Sequence, residues 1–277
     1  MKILRVLNNN TVSCLDENGN EIIVKGKGIA FQRSRGDEIE EGKIEQKFIL
    51  ENQTINRRYQ ELIVSIPNDI VDTCEEMITL IKSSLDKQLS ENIYVTLTDH
   101  ISNLLERMQM GIVFDNSLLW DVKRMYPEEY QIAKEAVEIV VKNFDIKLQN
   151  DEASFIALHI VNAELNMEIR DVYKITSLID DIYQYVENEF SLNIDKDCLL
   201  YTRFMLHLRF FMERMVKHED EMKTKNDDLL NIMKSKYDKQ YKAVEHICMM
   251  VESQLNYKVE ADEKLYLLIH VVKITTS

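Results

Sequence analysis

The spacing of apolar residues divides the chain into a short extended part and a long helical part. In the first part the apolar runs are brief and are broken by Asn, Asp and Gly, a pattern typical of antiparallel strands joined by tight turns. From Pro67 onward apolar residues recur three and four positions apart, and only Gly111 and Pro127 interrupt them. The pattern predicts a multidomain chain with a small all-β head followed by an all-α body.

Four antiparallel strands are predicted in the head, residues 1–56. They cover Ile3–Leu7, Thr11–Leu15, Glu21–Lys25 and Ile44–Leu50. The pair Asn18-Gly19 predicts a hairpin between the second and third strands, because both residues tolerate positive φ. A sheet of fewer than about 60 residues is marginally stable alone, so we expect the head to form a homodimer.

The helical body contains a duplication. Residues 151–159 (DEASFIALH) recur 111 residues later at 262–270 (DEKLYLLIH), and residues 100–107 (HISNLLER) recur 107 residues later at 207–214 (HLRFFMER). A period of this length indicates a duplicated domain rather than a solenoid of short repeats. We expect two homologous bundles of about five helices each, at residues 67–170 and 171–277, behind a linker at 57–66.

Each copy of the repeat keeps two histidines. The pairs are His100 with His159, and His207 with His270. The sequence leaves four roles open for them. They could be core histidines, zinc ligands, acid–base catalysts, or acceptors of a phosphoryl group whose charge a nearby Arg balances. Leu206 replaces Asp99 in the second copy, which disfavours a metal site rich in carboxylates. The histidines have no accompanying nucleophile, phosphate loop or cofactor fingerprint, so we expect no cofactor, no metal and no enzymatic activity.

Charge is distributed unevenly along the chain. The net charge is −14, yet residues 1–35 hold six basic and three acidic side chains. Such an asymmetry indicates an anionic partner for the head. The four cysteines lack a Cys-x-x-Cys pair and suit a reducing cytosol, so a cytoplasmic location is expected. We expect neither a signal peptide nor membrane insertion, because no apolar run approaches the roughly 20 residues of a membrane helix.

Two features of the head have both a structural and a functional interpretation. The run Asn8–Asn10 is either a polar turn or a reader of base edges, since an amide both donates and accepts hydrogen bonds. Phe31, beside Gln32, is either a core residue or an exposed platform for an unstacked base.

Four motifs together resemble the BglG/SacY/LicT family of transcriptional antiterminators. They are residues 6–10 (VLNNN), 26–32 (GKGIAFQ), 97–100 (LTDH) and 155–164 (FIALHIVNAE). The resemblance covers the whole chain and implies a co-antiterminator RNA-binding domain followed by two regulation domains of the sugar phosphotransferase system (PTS). It implies that a homodimer binds a hairpin in a leader RNA and excludes an overlapping terminator, so that sugar-utilisation genes are transcribed.

The resemblance also implies partners and site residues. In the family, the sugar permease of the PTS inhibits through the first regulation domain and the carrier HPr activates through the second. The implied phosphorylation sites are His100, His159, His207 and His270. The candidate partners of the phosphate are Asp99, Arg107 and Arg214. The implied RNA contacts are Arg5, Asn10, Gly26, Lys27, Phe31 and Gln32.

Two alternatives stay open at the level of sequence. One is a metal-dependent phosphohydrolase that uses the paired histidines. The other is a DNA-binding activator with the same regulation domains, which would need a helix-turn-helix head. The hairpin signals in the head disfavour the second alternative.

Overall fold

A computed structural model gives the fold of the chain. It describes residues 1–16, 19–48, 52–112, 122–148, 151–217, 227–255 and 258–276. They form two compact units, one from the described residues of 1–115 and 132–166 and the other from those of 116–131 and 167–277. The β-rich head and the helical body are both present, and the predicted fold class is confirmed.

The head is a four-stranded antiparallel meander in the order β1-β2-β3-β4. The strands are β1 (Ile3–Asn8), β2 (Thr11–Leu15), β3 (Glu21–Lys25) and β4 (Gln46–Phe48), with a 3₁₀ turn at Glu41–Lys43. The fourth strand is shorter than predicted at its start, and positions 49–50 lie outside the described residues. So do positions 17–18 of the predicted hairpin, although Gly19 has the expected positive φ of 82°.

One face of this sheet holds a small apolar core. Its buried members are Ile3, Val12, Cys14, Ile22, Val24, Ile29, Ala30 and Ile39, with Met1, Val6 and Ile44 packed at the edge. The core draws on both the strands and the loop after β3. The position of that loop is therefore fixed by packing as well as by hydrogen bonds.

Eleven α-helices follow among the described residues. They are α1 (Gln53–Ser65), α2 (Asn68–Ser84), α3 (Asn92–Gln109), α4 (Val122–Met125), α5 (Pro127–Phe144), α6 (Asp151–Leu165), α7 (Ile169–Glu189), α8 (Leu199–Lys217), α9 (Asp227–Lys236), α10 (Asp238–Leu255) and α11 (Ala261–Thr276). None of them combines the length and apolarity that a membrane crossing requires.

The segment 57–66, predicted as a linker, is helical up to Ser65 as part of α1. Asn52 caps this helix by accepting hydrogen bonds from the backbone N–H groups of Thr54 and Ile55. Tyr59 and Ile63 are fully buried one helical turn apart. The sequence pattern misses the helix because its apolar positions are few and its surface is strongly polar.

A buried ion pair joins β3 to α2 within the first unit. Lys25 Nζ lies 2.5 Å from an oxygen of Glu75 and also contacts Asp72. The hydroxyl of Tyr59 donates to the other oxygen of Glu75 at 3.2 Å. Burial raises the pKa of Glu75 in spite of Lys25, whereas the pKa of Lys25 is raised because the two carboxylates outweigh its burial.

A second buried cation holds the start of α5 against α8 within the second unit. Arg209 donates to the backbone oxygen of Met125 at 2.9 Å and to Glu129 at 3.2 Å. Its guanidinium also bonds to Glu213 and lies 4.5 Å from the centre of the Tyr126 ring. The carboxylates raise the pKa of Arg209 although burial alone would lower it.

Candidate functional sites

The first histidine pair forms where α3 packs against α6. The ring centres of His100 and His159 are 4.8 Å apart. Nε2 of His100 lies 3.3 Å from a carboxylate oxygen of Glu152, and both side chains are mostly buried. Glu152 and His159 are two helical turns apart, so they share the face of α6 that meets α3.

The two rings of this pair differ in their surroundings. His159 is 6% exposed, and its Nδ1 has no hydrogen-bond partner among the described residues. Burial, and secondly the neighbouring His100, hold the pKa of His159 well below its usual value. His159 is therefore a neutral imidazole at physiological pH, and it is less accessible than His100.

The second histidine pair forms at the equivalent contact of α8 with α11. The rings of His207 and His270 are stacked, with centres 3.5 Å apart and planes 22° apart. Burial lowers the pKa of both rings, and nearby cations including Lys273 and Arg214 add to the effect. The pKa of His270 falls to about 4.

Tyr266 and Glu263, which have no predicted role, complete the second site together with the predicted phosphate partner Arg214. The Tyr266 hydroxyl lies 2.9 Å from Nδ1 of His207. Arg214 makes two parallel hydrogen bonds of 2.7 Å to the carboxylate of Glu263, and its guanidinium lies 4.3 Å from the centre of the Tyr266 ring. Glu263 raises the pKa of Arg214, which stays charged.

The two sites use equivalent positions differently. Glu152 and Glu263 correspond in the repeat, yet the first contacts a histidine and the second contacts an arginine. Phe155 occupies in the first site the place that Tyr266 holds in the second. The described residues contain no group of three or more His, Cys, Asp or Glu side chains placed to share a metal ion.

Two predicted phosphate partners lie on α3. Asp99 is exposed and lines an open groove of about 400 Å³ together with residues of α1 that include Arg58 and Glu61. Arg107 is half-buried two helical turns from His100. The structure connects the third predicted partner, Arg214, to the second histidine pair through Tyr266.

Five of the six predicted RNA contacts of the head lie on two adjacent segments, and the sixth, Arg5, lies on β1. Backbone N–H groups of Gly26 and Ala30 donate to the carbonyls of Asn10 and Asn9, at 2.9 and 3.1 Å. The side-chain oxygen of Asn10 accepts from the backbone N–H of Gly28 at 2.9 Å. Hydrogen bonds thus hold the Asn8–Asn10 turn against the loop 26–32.

This paired surface exposes most of the predicted side chains. Phe31 is 64% exposed, and Lys27 and Gln32 flank it in exposed positions. Gln32 has a positive φ of 57°. Arg5 is exposed on β1, whereas Gly26 is buried and offers its backbone alone. Phe31 is therefore a surface aromatic rather than a core residue.

Family comparisons agree with this arrangement. Residues 1–57 match the CAT RNA binding domain, and residues 75–163 and 180–274 each match the PRD domain. The chain belongs to the CAT–PRD family of transcription antiterminators. It is thus an RNA-binding regulator of transcription with two PTS regulation domains, and not an enzyme.

Curated relatives match this CAT–PRD chain from end to end. Transcription antiterminator LicT of Bacillus subtilis (strain 168) is 39% identical over 99% of both chains. The beta-glucoside operon antiterminator of Dickeya chrysanthemi is 33% identical over 99% of this chain and 96% of that protein. The solved structure of GlcT CAT-PRDI is 34% identical, with a TM-score of 0.52 over 59% of this chain and 97% of that one. The relatives support antitermination rather than either alternative function.

Glu263 and Tyr266 are not among the predicted site residues of this CAT–PRD chain. A signal for them exists in the duplication, because Glu152 recurs as Glu263 and an aromatic residue recurs at 155 and 266. That signal does not distinguish a site residue from a core residue. Only the packing of α8 on α11 shows which atoms meet.

Proposed function

We propose that the chain binds, as a homodimer in the cytoplasm, a hairpin in the leader of a nascent transcript. Binding of the hairpin keeps an overlapping terminator from forming, and sugar-utilisation genes are then transcribed. The observation that carries the RNA part is the exposed surface built from the Asn8–Asn10 turn and the loop 26–32. Two relatives that match along almost the whole chain are named a transcription antiterminator and a beta-glucoside operon antiterminator.

The proposed RNA surface combines three kinds of contact. Phe31 offers an exposed ring on which an unpaired base can stack. Lys27 and Arg5 supply positive charge for phosphates in a protein whose net charge is −14. Asn10 and Gln32 carry amides that suit base edges. These side chains form the RNA surface proposed for this head, whose boundaries we place at residues 1–56.

The small size of the head supports dimerisation through it. Among the described residues, the apolar cluster on one face of the sheet has eight buried members, which is little for an independent domain. A second copy would double the RNA surface and bury further area. The regulation domains, proposed at 67–170 and 171–277, would then control whether two heads meet.

The RNA surface is tested by binding of the full chain to a leader hairpin, a scrambled RNA and duplex DNA. Phe31→Ala is expected to raise Kd for the hairpin at least about five-fold, because a stacked base contributes about 1–3 kcal/mol. Phe210→Ala, which removes an exposed ring from α8, is the matched control and should bind normally. Equal affinity for duplex DNA at two salt concentrations would contradict the proposal.

Control by phosphorylation is proposed to act on the four paired histidines. HPr would phosphorylate His207 or His270, and the sugar permease would act on His100 or His159. A phosphoryl group adds nearly two negative charges to the histidine pair that accepts it. In the second site, Lys273, Arg203 and Arg214 are the cations that act on His207, and Arg214 also packs on Tyr266, whose hydroxyl contacts the His207 ring.

Site-resolved mass spectrometry tests these inputs. The full chain is incubated with the general PTS phosphorylation components, and the modified residues are identified in the wild type and in His207→Ala, His270→Ala and His246→Ala. His246, an exposed ring stacked on Tyr185, serves as the control. The proposal expects phosphate at 207 or 270 and unchanged labelling in the control. Labelling confined to residues outside the four paired histidines would overturn it.

A further inference from the structure

The ring of His207 is held at one of its two nitrogens. Nδ1 lies 2.9 Å from the Tyr266 oxygen, and the same hydroxyl donates to the backbone oxygen of His207 at 3.4 Å. The phenol has a single hydrogen, so both contacts form together only when that hydrogen goes to the backbone oxygen and Nδ1 donates its own hydrogen to the phenol oxygen. Nε2 is then the ring nitrogen that carries the lone pair.

Tyr266 is itself fixed from several sides. Its ring lies 4.3 Å from the Arg214 guanidinium carbon and 4.6 Å from the centre of the His270 ring. Arg214 is anchored by its paired hydrogen bonds to Glu263. A side chain held in this way orients its neighbour, because its own rotamers are restricted.

The first site shows what the hydroxyl adds. Phe155 lies 5.7 Å from the ring centre of His100, nearly the distance of 5.9 Å between Tyr266 and His207. Phe155 has no oxygen to hold a ring nitrogen, and it is Nε2 of His100 that meets a carboxylate, that of Glu152. The two sites therefore engage opposite nitrogens of equivalent histidines.

We propose that Tyr266 is a positioning residue that occupies Nδ1 of His207 and reserves Nε2 for phosphorylation. A phosphorus atom bonded to Nδ1 would have to occupy the space that the phenol oxygen fills. Nε2 meets no such obstacle from Tyr266. This inference rests on the proposed function of His207 as a phosphoacceptor.

The transfer itself requires the hydrogen on Nδ1. The lone pair of Nε2 attacks the phosphorus of a phosphohistidine carrier, the P–N bond of the carrier breaks, and its electron pair stays on the nitrogen of the carrier. The new ring has phosphorus on Nε2, hydrogen on Nδ1 and a positive charge that the Tyr266 oxygen helps to stabilise. The transfer needs no oxidant, reductant or further reactant.

The first experiment needs no phosphorylation. Nitrogen-15 NMR of the full chain, at about pH 8 where a ring with a lowered pKa is neutral, assigns the tautomer of His207. We expect the Nδ1–H form in the wild type and in Tyr185→Phe, which removes a hydroxyl elsewhere in the same unit. Tyr266→Phe should lose this preference. An Nε2–H ring in the wild type would overturn the inference.

The second experiment uses the phosphohistidine carrier of the PTS as donor and isomer-specific antibodies, with tandem mass spectrometry to locate the phosphate. We expect phosphate on Nε2 of His207, and labelling about five-fold slower in Tyr266→Phe, the factor given by one hydrogen bond of about 1 kcal/mol. Phenylalanine occupies the equivalent position 155, so the fold should accept it.

The outcomes separate the two proposals. Phosphate on Nδ1 of His207 would overturn the positioning role and keep His207 as a phosphoacceptor. An Nδ1–H ring that never accepts phosphate would overturn the phosphoacceptor proposal for His207 and leave the contact with Tyr266 intact.

Discussion

Gly26 illustrates how a single residue sets the geometry of the RNA surface. A Cβ at this position would lie 1.7 Å from the backbone oxygen of Lys43. The close approach lets the loop after β3 pass directly against the turn before β4. Any side chain at Gly26 would push the loop away from the Asn8–Asn10 turn to which it is hydrogen-bonded.

Gly26→Ala is expected to destabilise the head by about 1–3 kcal/mol, since the obstacle is backbone and cannot rotate away. The matched control is Gly42→Ala, where a Cβ would meet no atom within 4 Å. The control should change stability by less than about 0.5 kcal/mol. Thermal unfolding of both full-length variants, with RNA binding as a second readout, checks the difference. Equal melting temperatures for the two variants would refute it.

At the scale of secondary-structure elements, buried charged side chains pair with each other where two elements make contact. Lys25 on β3 and Glu75 on α2 are 13% and 5% exposed, so Glu75 depends on Lys25 for its counter-charge, whereas Lys25 also contacts Asp72. Tyr59 on α1 completes the hydrogen bonding of Glu75. This polar contact sets the position of the sheet on α1 and α2 within the first unit.

Lys25→Met should lower the free energy of unfolding by about 3 kcal/mol, because it leaves a buried carboxylate without its cation. Adding Glu75→Gln to this variant should restore most of the loss, since the amide is neutral and can still accept from Tyr59. Urea unfolding of the two variants and the wild type measures the coupling. If the double variant is no more stable than Lys25→Met, the pair does not act as described.

The contact of α8 with α11 predicts a dependence of stability on pH. His270 has a pKa of about 4 in the folded chain, below the usual value near 6.5, so the unfolded chain binds its proton first as pH falls. The contribution is complete above about pH 6.5 and is lost as pH falls toward 4. Between pH 7 and 5 the loss is at most about 2 kcal/mol, because solvent screens part of the effect on a ring that is only partly buried.

Unfolding of His270→Gln measured at both pH values tests this contribution. The variant should lose less stability on acidification than the wild type, whereas His246→Gln, at an exposed ring, should follow the wild type. His207, Lys273 and Arg214 surround His270 and stay in place in both variants. Identical pH profiles for all three proteins would show that the stacked ring is not the source.

For the whole molecule, we expect negative charge added at the proposed regulatory sites to affect RNA binding. The chain carries −14 overall, while residues 1–35 are mildly basic. In the proposed dimer, added phosphate would make the body more acidic and act on whichever surfaces face one another.

The variant His207→Asp with His270→Asp should therefore mimic part of the activation assigned to the second regulation domain. A transcription reporter in cells that lack HPr phosphorylation is expected to show several-fold more readthrough than the wild type. His246→Asp places the same charge on the surface of the same unit and should leave readthrough unchanged. Reporter and gel-shift results equal to those of the wild type would count against activation through these histidines.

The duplication made the positions of the histidines predictable. Comparing the two copies of the repeat shows which residues both copies retain. The structure brings both predicted histidine pairs within ring contact. Strands β1 to β3 were predictable because turns of Asn and Gly bound them. Helix α1 was not, since its stability comes from burial of Tyr59 and Ile63 against other elements.

The sequence does not predict polar contacts between residues that lie far apart in the chain. The contact of Tyr266 with His207 spans 59 residues, and that of Lys25 with Glu75 spans 50. Periodicity reports which face of a helix is apolar, but not which polar atoms meet across two helices. Domain boundaries, RNA contacts and modified histidines stay predictions for the experiments above.

The amide of Asn10 has a consequence for nucleotide selectivity. Its oxygen already accepts the N–H of Gly28, so the amino group is the end left for an RNA contact. An amino group donates to carbonyl and ring-nitrogen acceptors and does not bind exocyclic amines. Within the proposed complex, Asn10 would contact acceptor atoms of a base, and exchanging it for aspartate would favour exocyclic amines instead while leaving the loop closed.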